Sequence, residues 1–103
     1  MKYVISFTAR AGGSSAEIET GVERALAVFS KWTPPADQKI AEFVNRIDGD
    51  GGFMVVETDN AASLLDGVSK FTPWFEFQVF PVMDTAKSVE VAAEAIEFRK
   101  SIT

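Results

Sequence analysis

Along residues 2–8 the chain alternates, with Tyr3, Ile5 and Phe7 on one side and Val4, Ser6 and Thr8 on the other. A period of two predicts a strand, because successive side chains leave a pleated backbone on opposite faces. Arg10-Ala11-Gly12-Gly13 interrupts the pattern, and the period then changes. Ile18, Val22, Ala25, Leu26 and Phe29 recur at helical spacing and predict a helix ending near Lys31, ahead of Pro34-Pro35. Ser14-Ser15-Ala16-Glu17 supplies its start, the hydroxyl and the carboxylate each satisfying a free amide of the first turn.

Residues 39–47 and Gly52–Thr58 predict two more strands. Asp48-Gly49-Asp50-Gly51 joins them with residue types that tolerate positive φ in a hairpin turn. Asn60 is placed to cap a short helix whose Leu64, Leu65, Val68 and Phe71 face inward and whose Asp66 and Lys70 can pair. Phe75–Val82 predicts a fourth strand, with Pro81 marking an edge or an irregular finish. From Asp84 or Thr85 a last helix runs to about Ile102.

The resulting β-α-β-β-α-β order, with one more helix, predicts a ferredoxin-like α+β fold: an antiparallel sheet with helices on one face. Residues 1–83 form that domain, and residues 84–103 a C-terminal helical extension packing on the domain, on a partner, or on both. Ser30-Lys31-Trp32-Thr33-Pro34 and Ser69-Lys70-Phe71-Thr72-Pro73 close the two helices with the same word. The two copies fall at equivalent places in a fold with pseudo-twofold symmetry.

At about 100° per residue the last helix carries two apolar stripes, not one. Val89, Ala92, Ala93 and Ile96 make the first; Val91, Ala95, Phe98 and Ile102 make the second, roughly half a turn away. One stripe can rest on the helix's own domain. The second asks for a partner, and the simplest is a second copy, so these four residues are the candidate homodimer interface.

Composition narrows the chemistry. The 103 residues contain no Cys and no His, which excludes disulfides, thiolate nucleophiles, Cys/His zinc sites, His-ligated haem and His-based acid–base catalysis. No metal site and no cofactor is expected. A net charge of −5 with scattered Lys and Arg argues against nucleic acid and against anionic membranes. No stretch approaches transmembrane length, and the short apolar N-terminus is not a signal peptide, so a cytoplasmic location is the default expectation.

Three segments invite a functional reading. Arg10-Ala11-Gly12-Gly13-Ser14-Ser15 sits before a helix and could hold an anion, although it is neither a Walker loop nor a dinucleotide fingerprint. Asp48, Asp50 and Asp59 repeat part of a calcium loop, but Gly52 and Phe53 stand where a ligand and the turn glycine belong. If the hairpin pairs Val44 with Val55, Glu42, Arg46 and Glu57 share a face and Glu42 opposes Glu57; a one-residue slip separates Arg46 from Glu57. Asn45, Arg46, Glu57 and Trp74 are the candidate ligand-binding residues, a few polar groups beside aromatics. Trp32, Phe71 and Trp74 close the core beneath the loops or offer a wall to a flat ligand.

Gly51-Gly52-Phe53, Val56-Glu57-Thr58-Asp59 and Phe75-Glu76-Phe77-Gln78-Val79-Phe80-Pro81-Val82 carry a resemblance to a known family. Over residues 1–83 the chain resembles the domain of unknown function 3303 family, within the dimeric α+β barrel group. The resemblance implies a homodimer in which two sheets face each other, with a ligand between sheet and helices or at the seam. It transfers no catalytic residue, since that group includes cofactor-free oxygenases, haem-binding enzymes, muconolactone-isomerase-like enzymes and binding modules. The leading expectation is a homodimeric domain that binds a small molecule or is structural. The alternatives are a cofactor-independent oxygenase or isomerase, with Asn45, Arg46 and Trp74 positioning substrate and Glu42 or Glu57 as base, and a protein-interaction module using the last helix.

Overall fold

The computed structural model of the chain describes residues 1–10 and 12–102. Its elements run β1 (Lys2–Ala9), α1 (Ser15–Lys31), β2 (Lys39–Asn45), β3 (Gly51–Glu57), α2 (Ala61–Ser69), β4 (Phe75–Val82) and α3 (Thr85–Lys100). The strands lie in the order β2-β3-β1-β4, and every neighbouring pair is antiparallel. This is the ferredoxin-like α+β arrangement, with β1 and β3 at the centre and α1 and α2 on one face.

Local chemistry sets the element ends as the sequence predicts. The Ser14 hydroxyl accepts from the Glu17 amide, and Asn60 Oδ1 accepts from the Ala62 amide, each relieving a free donor at a helix start. Lys70 Nζ meets Asp66 at 2.7 Å one turn away. Asp84 behaves differently: it stands at the N-cap of α3 without capping it, because its carboxylate is taken by Lys2. That contact raises the Lys2 pKa.

The hairpin does not pair Val44 with Val55. Val44 opposes Phe53, and Glu42 opposes Val55. A bulge at Ala41, between the Ile40–Val56 and Glu42–Val55 pairs, absorbs the extra residue. Glu57 consequently faces Lys39 on one side and Lys2 on the other, so the unfavourable Glu42–Glu57 pairing does not occur. Strand β2 also stops at Asn45, because Arg46 already belongs to the turn.

The face toward the helices carries Tyr3, Ile5, Phe7, Ile40, Phe43, Met54, Val56, Phe75 and Phe77. Ile5, Val56 and Leu64 form the dry centre, with Tyr3, Ile40, Met54 and Phe77 packed around them. From α1 only Ala25 is buried; Val22, Leu26 and Phe29 of the predicted stripe stay exposed. Leu65 of α2, expected to face inward, is 68% exposed, because Ser63 and Leu64 occupy the buried line of that short helix. No residue of α3 is buried.

Gly52 is required by close approach. A Cβ there would lie 2.2 Å from the Val44 carbonyl oxygen and 2.7 Å from the Phe7 ring. The β2–β3–β1 ladder closes around a position with no room for a side chain. Gly52→Ala is expected to cost at least about 2 kcal/mol, a fall of roughly 10 °C in Tm, since a backbone carbonyl must move. Thermal denaturation checks this, and an unchanged Tm would mean that the strands are not this close.

Candidate functional site

Between the sheet and the two helices lies a cavity of about 500 Å³ that opens to solvent. Ile5 and Phe7 come from β1, Phe43 and Asn45 from β2, Met54 from β3, and Phe75 and Phe77 from β4. Leu26 and Phe29 of α1 and Leu64, Gly67 and Val68 of α2 form the opposite wall, with Trp32 and Phe71 just past the helix ends. The aromatic side chains touch one another: Phe7 is edge-on to Phe43 and Phe75, and Phe29 stacks on Trp32 at 6.1 Å. None of the lining residues is charged. The polar groups are the Asn45 amide at the end of β2, the Trp32 indole N–H and Gln38, whose Nε2 donates to Ser63 Oγ at 3.0 Å.

Two glycines bring the helix-terminal tryptophans close to the opposite helix. A Cβ on Gly21 of α1 would sit 3.5 Å from Trp74, and one on Gly67 of α2 would sit 4.0 Å from Trp32. Each helix therefore accepts the tryptophan that follows the other. Glycine is unfavourable inside a helix, by roughly 1 kcal/mol against alanine, and such a position signals close packing. The glycines are visible in the sequence, but which side chain packs on each is not.

The four sequence-selected ligand residues do not come together. Asn45 lines the cavity; Arg46, Glu57 and Trp74 do not. Arg46 pairs with Asp48 in the turn, and its backbone bonds hold Gly49 and Gly51. Trp74 packs against α1 at Gly21. Glu57 belongs to a shallow groove on the other side of the molecule with Lys2, Pro81, Met83 and Lys87, at the root of α3. Glu42 shares that outer sheet face with Glu57, by the register, and is likewise absent from the cavity wall.

The other two segments have ordinary structural partners. Arg10 donates to the Thr72 carbonyl oxygen at 2.7 Å and pairs with Glu76 at 3.3 Å, which draws it to the β4 side rather than to the start of α1. Ala11 of the glycine loop lies outside the described residues. Asp48 accepts from the Asp50 amide, while Asp59 meets the N-terminal ammonium. Among the described residues no cluster of three acidic side chains is placed to hold a cation, and no helix is long and apolar enough to cross a membrane.

The sequence profile of a domain of unknown function, DUF3303, matches residues 1–96. This chain belongs to that family. Among curated proteins none matches the sequence. Solved structures with a similar fold include SnoaB, a cofactor-independent oxygenase from Streptomyces nogalater. It is 15% identical, with 81% of this chain and 92% of that one covered and a TM-score of 0.35. Another is At3g17210 from Arabidopsis thaliana, 12% identical over 81% of this chain and 96% of that one, TM-score 0.34. A third is an EthD-family protein from Bacillus halodurans, 15% identical over 81% and 99%, TM-score 0.34. At such distances the likeness says nothing of the activity of this DUF3303 domain.

The Asp50 amide first, and the Arg46 guanidinium second, hold the Asp48 carboxyl below the ordinary aspartate value. This contact therefore contributes at neutral pH and is lost as the pH falls through the lowered pKa. In an NMR pH titration Arg46→Ala should raise the Asp48 midpoint only part of the way to normal. A full return would make Arg46 the main cause.

Proposed function

We propose that this chain is a homodimeric binding domain that takes a neutral, largely apolar small molecule between its sheet and its helices. The uncharged aromatic cavity carries the reading. Its volume, about 500 Å³, lies in the range of small-molecule sites, and its few polar groups among many apolar ones are the usual composition of such sites. A charged ligand would lose its hydration there and find no counter-charge on the wall. None of the lining side chains titrates near neutral pH, so the wall supplies no general base, which favours binding over proton-transfer chemistry.

A second copy is supported by surface area. The single chain exposes 7593 Å², roughly 1,900 Å² more than the scaling law gives for a folded monomer of 11.2 kDa. Its radius of gyration is 18.5 Å, where a compact domain of this length has about 13 Å. Covering that excess on both copies corresponds to roughly 3,800 Å² in total, within the range of obligate homodimers. The surplus includes apolar side chains: Val91 and Phe98 of α3, and Ile102 just past its end, are at least half exposed, and Ala95 is partly so. Val44, Phe53 and Phe80 stand open on the outer face of the sheet. A lone helix of this length is marginal in water, so α3 gains its stability from what covers it.

N-phenyl-1-naphthylamine, a neutral apolar fluorophore, should bind saturably at one site per chain. Met54→Trp, which fills the cavity from the sheet side, should weaken it by at least about tenfold in protein that remains folded. No enhancement by the wild type, or equal binding by a folded Met54→Trp, would remove the cavity as a site. For the assembly, light scattering at low micromolar concentration should report a dimer for the wild type and a monomer for Phe98→Asp. A variant that stays dimeric takes α3 out of the interface.

A further inference from the structure

Helix α3 follows β4 after two residues, and none of its side chains is buried against the chain that carries it. Ser88, Val91, Ala95, Phe98 and Ile102 follow one another at spacings of three, four, three and four, with Ile102 just past the last turn. Those are the a and d positions of a heptad seam, a at Ser88, Ala95 and Ile102 and d at Val91 and Phe98. In the same frame Glu94 takes a g position and Arg99 the e position of the next heptad. The other charges nearby are paired within the helix, Lys87 with Glu90 at 3.3 Å and Lys100 with Glu97 at 3.7 Å. Among the described residues, Glu94 and Arg99 take part in no ion pair.

We propose that α3 zips in parallel against α3 of a second copy along this seam, with Glu94 of each helix meeting Arg99 of the other. This deepens the homodimer reading above and rests on it. Charge sets the orientation. In parallel helices a g residue faces the e residue five positions further along its partner, so a symmetric pair makes the Glu94–Arg99 contact twice. In antiparallel helices g faces g and e faces e, which would set Glu94 against its own copy and leave Arg99 beside Ala92. The two charges without a partner inside the chain are the two that the parallel seam brings together. Two heptads are short for a free-standing coiled coil. Each α3 is instead anchored, because it continues from β4 and Lys2 holds Asp84 at its root. A parallel pair places both folded bodies, and both cavities, at the same end of the helices.

A chain without cysteine makes the test clean, since any thiol introduced is the only one. Ser88→Cys, Ala95→Cys and Ala93→Cys are oxidised at low micromolar concentration and run on a non-reducing gel. Ser88→Cys and Ala95→Cys should each form covalent dimers, while Ala93→Cys, on the far side of the helix, should not. In an antiparallel pair centred on Ala95 the two copies of residue 88 would stand roughly 21 Å apart, beyond the reach of a disulfide. Charge exchange gives a second readout. Glu94→Arg and Arg99→Glu should each weaken the dimer about tenfold by sedimentation, and the double variant should recover most of the loss. Linking of Ala95→Cys alone, linking of Ala93→Cys as readily as the others, or a double variant no tighter than the single ones would overturn the parallel seam. A wild type that is dimeric while none of the three thiols links would overturn it too, leaving a dimer built on another surface. A monomeric wild type would defeat the homodimer reading itself and leave α3 to a different protein.

Discussion

Ile5 of β1, Val56 of β3 and Leu64 of α2 meet in the dry contact on which the molecule rests. Two of the three lie on the paired central strands, so the contact ties the middle of the sheet to α2. Ala25 is the buried residue of α1, and its small side chain brings that helix near without filling the space around it. Beyond this contact the helices diverge from full coverage. Leu26 and Phe29 remain open, and the sheet answers with phenylalanines rather than with close-fitting aliphatic residues. A cavity follows from a small buried core joined to a large aromatic wall.

The two faces of the sheet divide the chemistry. Strand alternation puts Phe7, Phe43, Met54 and Phe77 toward the helices, where none of the residues around the cavity is charged. The same alternation puts Lys2, Glu42, Glu57 and Glu76 on the other face, interleaved with Val4, Phe53, Val55 and Phe80. Ionised groups prefer the side that can stay hydrated or meet opposite charges at the rim of an interface. A site built on the helix face is consequently read by shape and by single hydrogen bonds. The outer face and α3 mix exposed apolar side chains with charged ones.

Much of this was legible in the chain. The seven elements, the caps at Ser14 and Asn60, the Asp66–Lys70 pair and the ferredoxin-like order follow from local rules that act within a few residues. The candidate site was legible only at Asn45. Arg46 and Glu57 stood out as charged residues near aromatics, yet Arg46 is consumed by its own turn, and Glu57 lies between two lysines on the other face. Trp32 stands within the first helix-end word and Trp74 just after the second, and only the packing shows which of them borders the open space.

The sequence by itself determined periodicity, turn chemistry and the exclusion of Cys- and His-based chemistry, because each depends on residue type and spacing alone. The tertiary structure decided the rest. The Val44–Phe53 pairing and the bulge at Ala41 decided which residues stand opposite each other, so that Glu57 meets Lys39 and not Glu42. The glycines at 21 and 67 reveal their purpose only when a tryptophan from the opposite helix end is seen against each. Burial of the Trp32 N–H without an acceptor is a property of three-dimensional enclosure, to which residues from both helices and the sheet contribute and which no local stretch of sequence encodes.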